Sequence, residues 1–251
     1  MKKLLLILLC LPMIGFGQNV NIPDAIFKAY LVGDTAINTN GDSEIQVSEA
    51  NSFNGSIYCE NMNIADLTGI ADFTALTELG CWGNQLTSLD VTQNTALTYL
   101  RCYENQLTSL DVSANTALNV LKIGANQLTT LDLSQNTDLI IFSCDNNQLT
   151  NLDVRNGNNN LLDTNFSCTG NPNLSCINVD DSTWATSNWT VIDPQHYFSN
   201  HCSGTTSIKE HTTNKQLLKV TDLLVRETKH TNQPHFYIYD DGTVEKRIVL
   251  E

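Results

Sequence analysis

The sequence predicts a solenoid, a stack of short coils that each contribute one strand, closed by a cap at either end and followed by a small β-rich tail. Three observations predict it. Residues 84–91, Asn-Gln-Leu-Thr-Ser-Leu-Asp-Val, return unchanged at 105–112. Two further copies follow at the same 21-residue interval, from Leu118 and from Leu139. Near residue 203 the acidic, repeating body gives way to a charge-balanced segment with no repeat.

The first 17 residues, MKKLLLILLCLPMIGFG, hold two lysines, an apolar run and a small-residue end. The run is too short to cross a bilayer and reads as a secretory signal peptide cleaved before Gln18. Leu8 and Leu9 precede Cys10 where a lipid anchor would want a small residue, so none is expected. No later stretch is long and apolar enough for a transmembrane segment. In the following cap, Asp24 is placed to start a helix with Ile26, Phe27, Tyr30 and Leu31 on one face.

The segment NTNGDSEIQVSE, Asn38 to Glu49, resembles an EF-hand calcium loop. Asn38, Asn40, Asp42 and Glu49 fall at its first, third, fifth and twelfth positions, Glu44 would lend a carbonyl, and Ile45 fills the apolar slot. The resemblance implies a weak structural calcium, weak because Asn38 replaces aspartate and Ser43 replaces the turn glycine. The other reading is a hydrogen-bonded turn that caps the stack. No other cofactor is expected.

The clean copies start LTELGCWGNQLTSLDV at Leu76, LTYLRCYENQLTSLDV at Leu97, LNVLKIGANQLTTLDL at Leu118 and LIIFSCDNNQLTNLDV at Leu139. Their frame is LxxLxCxxNxLTxLDVxxNTA, with worn copies from Ile57 and Phe166. Leu79 and Cys81 alternate with Glu78, Gly80 and Trp82, the period of a half-buried strand. Leu86, Leu89 and Val91 supply a second buried side. One coil cannot bury its leucines alone, but stacked coils bury them against each other about 4.8 Å apart.

This frame resembles the leucine-rich repeat in its short bacterial form. The resemblance implies a leucine-rich repeat solenoid, with short parallel strands on the concave side and turns and irregular coil on the convex side. It also implies that Asn84, Asn105, Asn126 and Asn147 point inward and bond the backbone of neighbouring coils, as buried turns require. Cys81, Cys102 and Cys144 share their slot with Ile123 and read as small apolar fillers, and Cys59 and Cys168 align there too. Thiols in a line on stacked strands do not converge on a metal. Asp90, Asp111, Asp132 and Asp153 form a column of like charges, read either as caps of backbone N–H groups or as a calcium ladder.

Cys176 and Cys202 lie outside the repeating slot and flank a segment rich in aromatic residues. They are expected to form a disulfide closing the C-terminal cap, worth roughly 3 kcal/mol. Trp184 and Trp189 are expected to cover the apolar edge of the last coil. In the tail, FYIY and VEKRIVLE flank Asp240-Asp241-Gly242-Thr243, a hairpin signal. With KVTDLLVRET, this ending resembles the C-terminal sorting domain of type IX secretion in Bacteroidetes, shortened and with Val225 where that family has glycine. Together with the signal peptide, the resemblance implies export through the periplasm to the outer-membrane surface or the medium, with the type IX machinery engaging the tail. The expected organisation is therefore signal peptide 1–17, N-terminal cap with the EF-hand-like loop 18–56, repeats and C-terminal cap 57–202, and sorting domain 203–251.

Between Gln18 and Cys202 there are 4 Lys or Arg against 20 Asp or Glu. Such a body repels phosphate backbones, so nucleic acid is not expected as a partner. The 5 histidines lie beyond the clean copies, and no HExxH, GxSxG or phosphate loop occurs, so no enzyme is expected. What remains is a binding surface made by strand residues that face away from the core: Glu78, Trp82, Tyr99, Arg101, Tyr103 and Lys122. Trp, Tyr and Arg dominate interface hot spots because they join large area to a polar handle. A protein is the first partner expected, a glycan the second. The alternative is a passive surface or adhesion scaffold on which these aromatics only stack across the sheet.

Overall fold

The computed structural model describes residues 17–162, 165–202, 217–221, 234–239 and 244–248. The expected signal peptide, apart from Gly17, lies outside the described residues. The chain divides into two compact units, Met1–Cys202 and Ser203–Glu251.

The first unit opens with helices α1 (Ala25–Gly33) and α2 (Val47–Ser52). Asp24 caps α1 as its sequence position suggests, its Oδ1 accepting from the amides of Ile26 and Phe27 at 2.9 and 3.0 Å. Its Oδ2 accepts from Ala65 at 2.9 Å, so one carboxylate ties the helix to the first, worn coil. Burial alone would raise this carboxyl; the backbone hydrogen bonds outweigh it and hold it below the usual range. The expected helix face needs one correction. Phe27 and Leu31, one turn apart, are fully buried, whereas Ile26 is 42% exposed at the outer margin of that face.

Six short strands then stack in parallel: β1 (Ser56–Tyr58), β2 (Glu78–Gly80), β3 (Tyr99–Arg101), β4 (Val120–Lys122), β6 (Ile141–Ser143) and β8 (Phe166–Ser167). Their register is that of the repeat. Leu79 stands opposite Leu100, Leu100 opposite Leu121, Leu121 opposite Phe142, and Phe142 opposite Phe166. Behind them Leu86, Leu107, Leu128 and Leu149 are fully buried, and so is the column of Cys59, Cys81, Cys102, Ile123, Cys144 and Cys168. A short 3-10 turn (Ile70–Asp72) serves the first coil's outer side.

The outer side of the later coils is more regular than coil and turn. Here β5 (Thr130–Asp132), β7 (Asn151–Asp153), β9 (Cys176–Asn178) and β10 (Tyr197–Ser199) form a second parallel sheet in the order β10-β9-β7-β5. The stack closes with the short α3 (Asn159–Leu162) and with α4 (Ser182–Asn188), capped by Asp181. Trp189 is buried and stacks on Phe166 with ring centroids 4.1 Å apart, and Trp184 meets Trp189 edge-on at 5.8 Å. The expected Cys176–Cys202 disulfide is present, with a sequence separation of 26.

Two asparagine ladders hold the coils together. In the first, Asn105 Nδ2 donates to the carbonyls of Cys81 and Cys102 at 3.0 and 3.2 Å, and its Oδ1 accepts from Leu86 N at 3.0 Å. Asn84 one coil before, Asn126 one coil after and Asn147 two coils after repeat this pattern. The second ladder, Asn94, Asn115 and Asn136, is fully buried, each side-chain amide bonding two carbonyls of the coil or coils before it. The aspartate column behaves as a row of caps: Asp90, Asp111, Asp132 and Asp153 each accept from the amide two residues on at 2.8 to 3.0 Å.

In the second unit β11 (Leu217–Thr221), β12 (Pro234–Tyr239) and β13 (Val244–Ile248) make an antiparallel sheet in that order. β12 and β13 pair antiparallel, with Phe236 opposite Lys246 and Tyr237 opposite Glu245, and the expected turn at 240–243 lies outside the described residues. Among the described residues no helix is long and apolar enough to cross a membrane.

Candidate functional site

The open face of the six-stranded sheet collects the predicted binding residues. Because neighbouring coils pair in exact register, equivalent positions form rows across the strands. Glu78, Tyr99 and Val120 make one row and Gly80, Arg101 and Lys122 the next. Trp82 and Tyr103, two positions further on, stack with centroids 5.0 Å apart and planes at 7°. The Arg101 guanidinium lies 4.5 Å from the centre of the Tyr99 ring, a cation–π contact. The structure therefore brings Trp82, Tyr99, Arg101, Tyr103 and Lys122 onto one surface, with Glu78 at its edge.

Sequence reasoning missed Tyr58 on this surface. It stands opposite Gly80 in the register, is 41% exposed, meets Tyr99 edge-on at 6.5 Å and donates its hydroxyl to Glu78. Gly80, expected to face outward, is buried beneath it; a Cβ there would come within 2.5 Å of the Tyr58 ring. The signal was present in the worn copy from Ile57, whose alignment puts Tyr58 in the Arg101 row. The hydrogen bond to Glu78 is the largest of the influences that raise the Tyr58 phenol above its usual range.

The electrostatics single out two cations. Of the four Lys and Arg between residues 18 and 202, Lys28 pairs with Glu44 at 2.7 Å and Arg155 pairs with Asp153. Arg101 and Lys122, side by side on β3 and β4, pair with no carboxylate among the described residues, and the buried Nε of Arg101 has no hydrogen-bond partner. Both line a cavity of about 300 Å³ together with Tyr103, Glu104, Asp145 and Asn146. Asp145 is held in place there. Ser143 Oγ donates to its Oδ2 at 2.7 Å, while Ser167 Oγ, Thr169 N and Thr169 Oγ1 donate to its Oδ1 at 2.6 to 2.9 Å. Burial would raise this carboxyl, but those bonds prevail and keep it below the usual range.

The EF-hand-like loop brings its named residues together, and they spend their polar atoms on each other. Asn38, 4% exposed, donates to the carbonyls of Val32 and Asp42 at 3.0 and 2.8 Å. Glu49 Oε1 accepts from the amides of Thr39 and Asn40 at 2.8 and 3.2 Å, and its Oε2 from Gln46 N at 3.0 Å. Asn40 donates to Asp42 at 3.0 Å, and Glu44 faces Lys28. An amide that donates inward and carboxylates aimed at N–H groups do not form a converging set of oxygens, so this arrangement is that of a hydrogen-bonded turn. Among the described residues no group of three or more His, Cys, Asp or Glu is placed to hold a metal. The repeat thiols are inert by environment: burial pushes Cys59 and Cys102 up to about 12 and Cys81 and Cys144 well above the usual thiol range.

No protein-family model matches the chain. A 39-residue stretch is 51% identical to Internalin J of Listeria monocytogenes, which is 16% of this chain and 4% of that protein. Among solved structures, the functional domain of InlJ from Listeria monocytogenes, which includes a cysteine ladder, is 34% identical with a TM-score of 0.52 over 65% of this chain and 38% of that one. The internalin inlF of the same species aligns at 20% identity and a TM-score of 0.38, covering 63% of this chain and 44% of that one. The chain spans less than half the length of each of these relatives. Coils in 21-residue register, the inward asparagine ladder and the fold shared with the InlJ domain together give this chain the leucine-rich repeat solenoid fold.

Proposed function

We propose that this chain is an exported binding module, displayed on the cell surface or released, that recognises a partner through the open face of its six-stranded sheet. One observation carries the reading: Trp82, Tyr103, Tyr99 and Arg101 form one continuous surface on two adjacent coils, with ring orientations fixed by stacking. Large aromatic area held rigidly, beside cations that make no ion pair among the described residues, is the make-up of an interface hot spot. Tyr99 and Arg101 stand on β3, and Trp82 and Tyr103 sit two positions beyond the ends of β2 and β3 held by their mutual stacking, which lowers the entropy cost of presenting them. The relation to internalins supports a protein or surface-associated partner.

The address in this reading is double. The signal peptide takes the chain into the periplasm of a Bacteroidetes cell, and residues 203–251 present a short type IX sorting domain that is removed during export. Capture from outer-membrane and environmental extracts tests the binding reading, comparing wild type with Trp82→Ala/Tyr103→Ala and with Gln93→Ala/Gln135→Ala on the opposite side. The partner should be lost with the first pair and kept with the second; the reverse pattern refutes it. Deletion of residues 203–251 should leave a folded body in the periplasm, and normal surface localisation of that variant would refute the address.

A further inference from the structure

Beyond Tyr103 the row of side chains on the open face is interrupted. Trp82 and Tyr103 are separated by 5.0 Å, close to the spacing of adjacent strands. The equivalent residue of the next coil is Gly124, and that of the coil after it is Asp145. A residue with no side chain between two that have them leaves a slot one coil wide, with the free face of the Tyr103 ring as one wall and Asp145 as the other. This is the cavity of about 300 Å³, at the lower end of the size range of ligand sites. The two cations line its strand side, and Glu104 and Asn146 line its turn side.

We infer that this slot holds one pyranose ring of a glycan. The inference rests on the binding reading above and names the ligand class it serves. The occupant has to be flat and about one coil thick, because the aromatic stack continues at that spacing. Its rim has to carry several hydrogen-bonding groups, because every lining side chain longer than alanine, other than Tyr103, is charged or polar. A Phe or Leu side chain would strip water from Arg101, Lys122 and Asp145 without replacing its bonds, which is costly. A tyrosine would offer a single hydroxyl. A pyranose sets an apolar C–H face against Tyr103 and hydroxyls against the rest.

The polar groups are prepared for such a rim. Arg101 and Lys122 both line the slot, and neither has an ion pair among the described residues. Asp145 is fixed by four donors, three on Oδ1 and one on Oδ2, so Oδ2 retains acceptor capacity in a pre-set orientation. Groups already immobilised lose little entropy when the ligand arrives.

The full chain is titrated with methyl glucoside, methyl galactoside, N-acetylglucosamine and glucuronic acid, followed by ligand-observed NMR and by the fluorescence of Trp82 behind Tyr103. At least one sugar should bind saturably in the millimolar range, as a single-ring contact would. Tyr103→Ala and Lys122→Gln should each weaken it at least about tenfold, and Ser109→Ala on the far side should leave it unchanged. Preference for glucuronic acid over the neutral sugars would show Arg101 and Lys122 reading a carboxylate. Absence of saturable binding by all four sugars overturns the inference, as does binding that ignores both Tyr103 and Lys122. If no sugar binds while capture of a protein partner still requires Tyr103, the slot takes a protein side chain and the binding reading stands. If capture also ignores Tyr103, both fall.

Discussion

The first asparagine ladder makes an uncommon prediction about coupling. Replacing Asn105 by Ala removes four hydrogen bonds but orphans only one buried group, since the Tyr103 carbonyl still accepts from Gly83 N at 3.1 Å. The carbonyl of Cys81 is also bonded by Asn84 at 3.0 Å and that of Cys102 by Asn126 at 3.0 Å, so each keeps a partner. Leu86 N loses its acceptor. One buried unsatisfied amide costs about 1–3 kcal/mol, so Asn105→Ala should cost about 2 kcal/mol. Asn126→Ala should cost about the same, because it orphans Leu107 N in the same way. Together the two strip both asparagines from the Cys102 carbonyl. The double variant should therefore lose about 2 kcal/mol beyond the two singles combined. Asn105→Ala with Asn147→Ala is the control, since Asn147 bonds the carbonyls of Ile123 and Cys144 and shares none with Asn105. That pair should be additive within about 0.5 kcal/mol. Urea denaturation of all five variants and wild type, at matched m-values, gives the cycle. Equal coupling in the adjacent and the spaced pair would refute the shared-carbonyl account.

Three further outcomes follow from described geometry. Ala125 occupies the left-handed region at φ 51°, where the equivalent Gly83 and Gly170 sit at 68° and 70°; Ala125→Gly should stabilise by about 1 kcal/mol in urea melts, and a loss of stability would contradict the strain. Alkylation of the oxidised native protein should spare all five free cysteines of the repeat column, Cys59, Cys81, Cys102, Cys144 and Cys168, and peptide mapping should find Cys176 joined to Cys202; rapid native labelling of Cys102 would show the column is not buried. Asp24, Asp145 and Asp193 are held below their ordinary value of 3.8, so their contribution is complete above that value and is lost as pH falls through the lower folded values. The urea midpoint should stay flat from about pH 7 to about pH 5 and fall below about pH 4, and a midpoint that rises on acidification would contradict the sign.

The strands were legible because their buried residues recur in identical frame. Leu79, Leu100 and Leu121 each announce the same burial, and repetition removes the ambiguity of a three-residue strand. The rear disulfide was legible by exclusion, since Cys176 and Cys202 alone fall outside the repeating slot and the signal segment. The second sheet was not. Thr130-Leu131-Asp132 is a strand while the nearly identical Ser109-Leu110-Asp111 is not. The difference lies in distant pairing, because β7 bonds β9, whose sequence is not a copy of the frame. Asn94 and its column were visible in the frame but sit among Thr and Gln, and their inward turn shows only when the carbonyls they bond are located. The slot at Gly124 escaped for a similar reason. A missing side chain becomes a cavity only when the residues before and after it in the row are known to stand beside it.

The rear disulfide also decides how the first unit bears a pull. Tension arriving along the chain from beyond Cys202 crosses the sulfur bridge to Cys176 and enters β9 directly. The segment between the two cysteines, with α4 and β10, is a slack branch that carries none of it. Force therefore meets the stack at a strand bonded on both edges, by β7 and β10, and not at the edge strand β10. While the bridge is intact the chain can be drawn taut without unwinding the cap, and Trp189 stays seated over the last coil. Reduction reverses the order of failure: the same pull would peel β10 and α4 away first and expose the apolar edge beneath them.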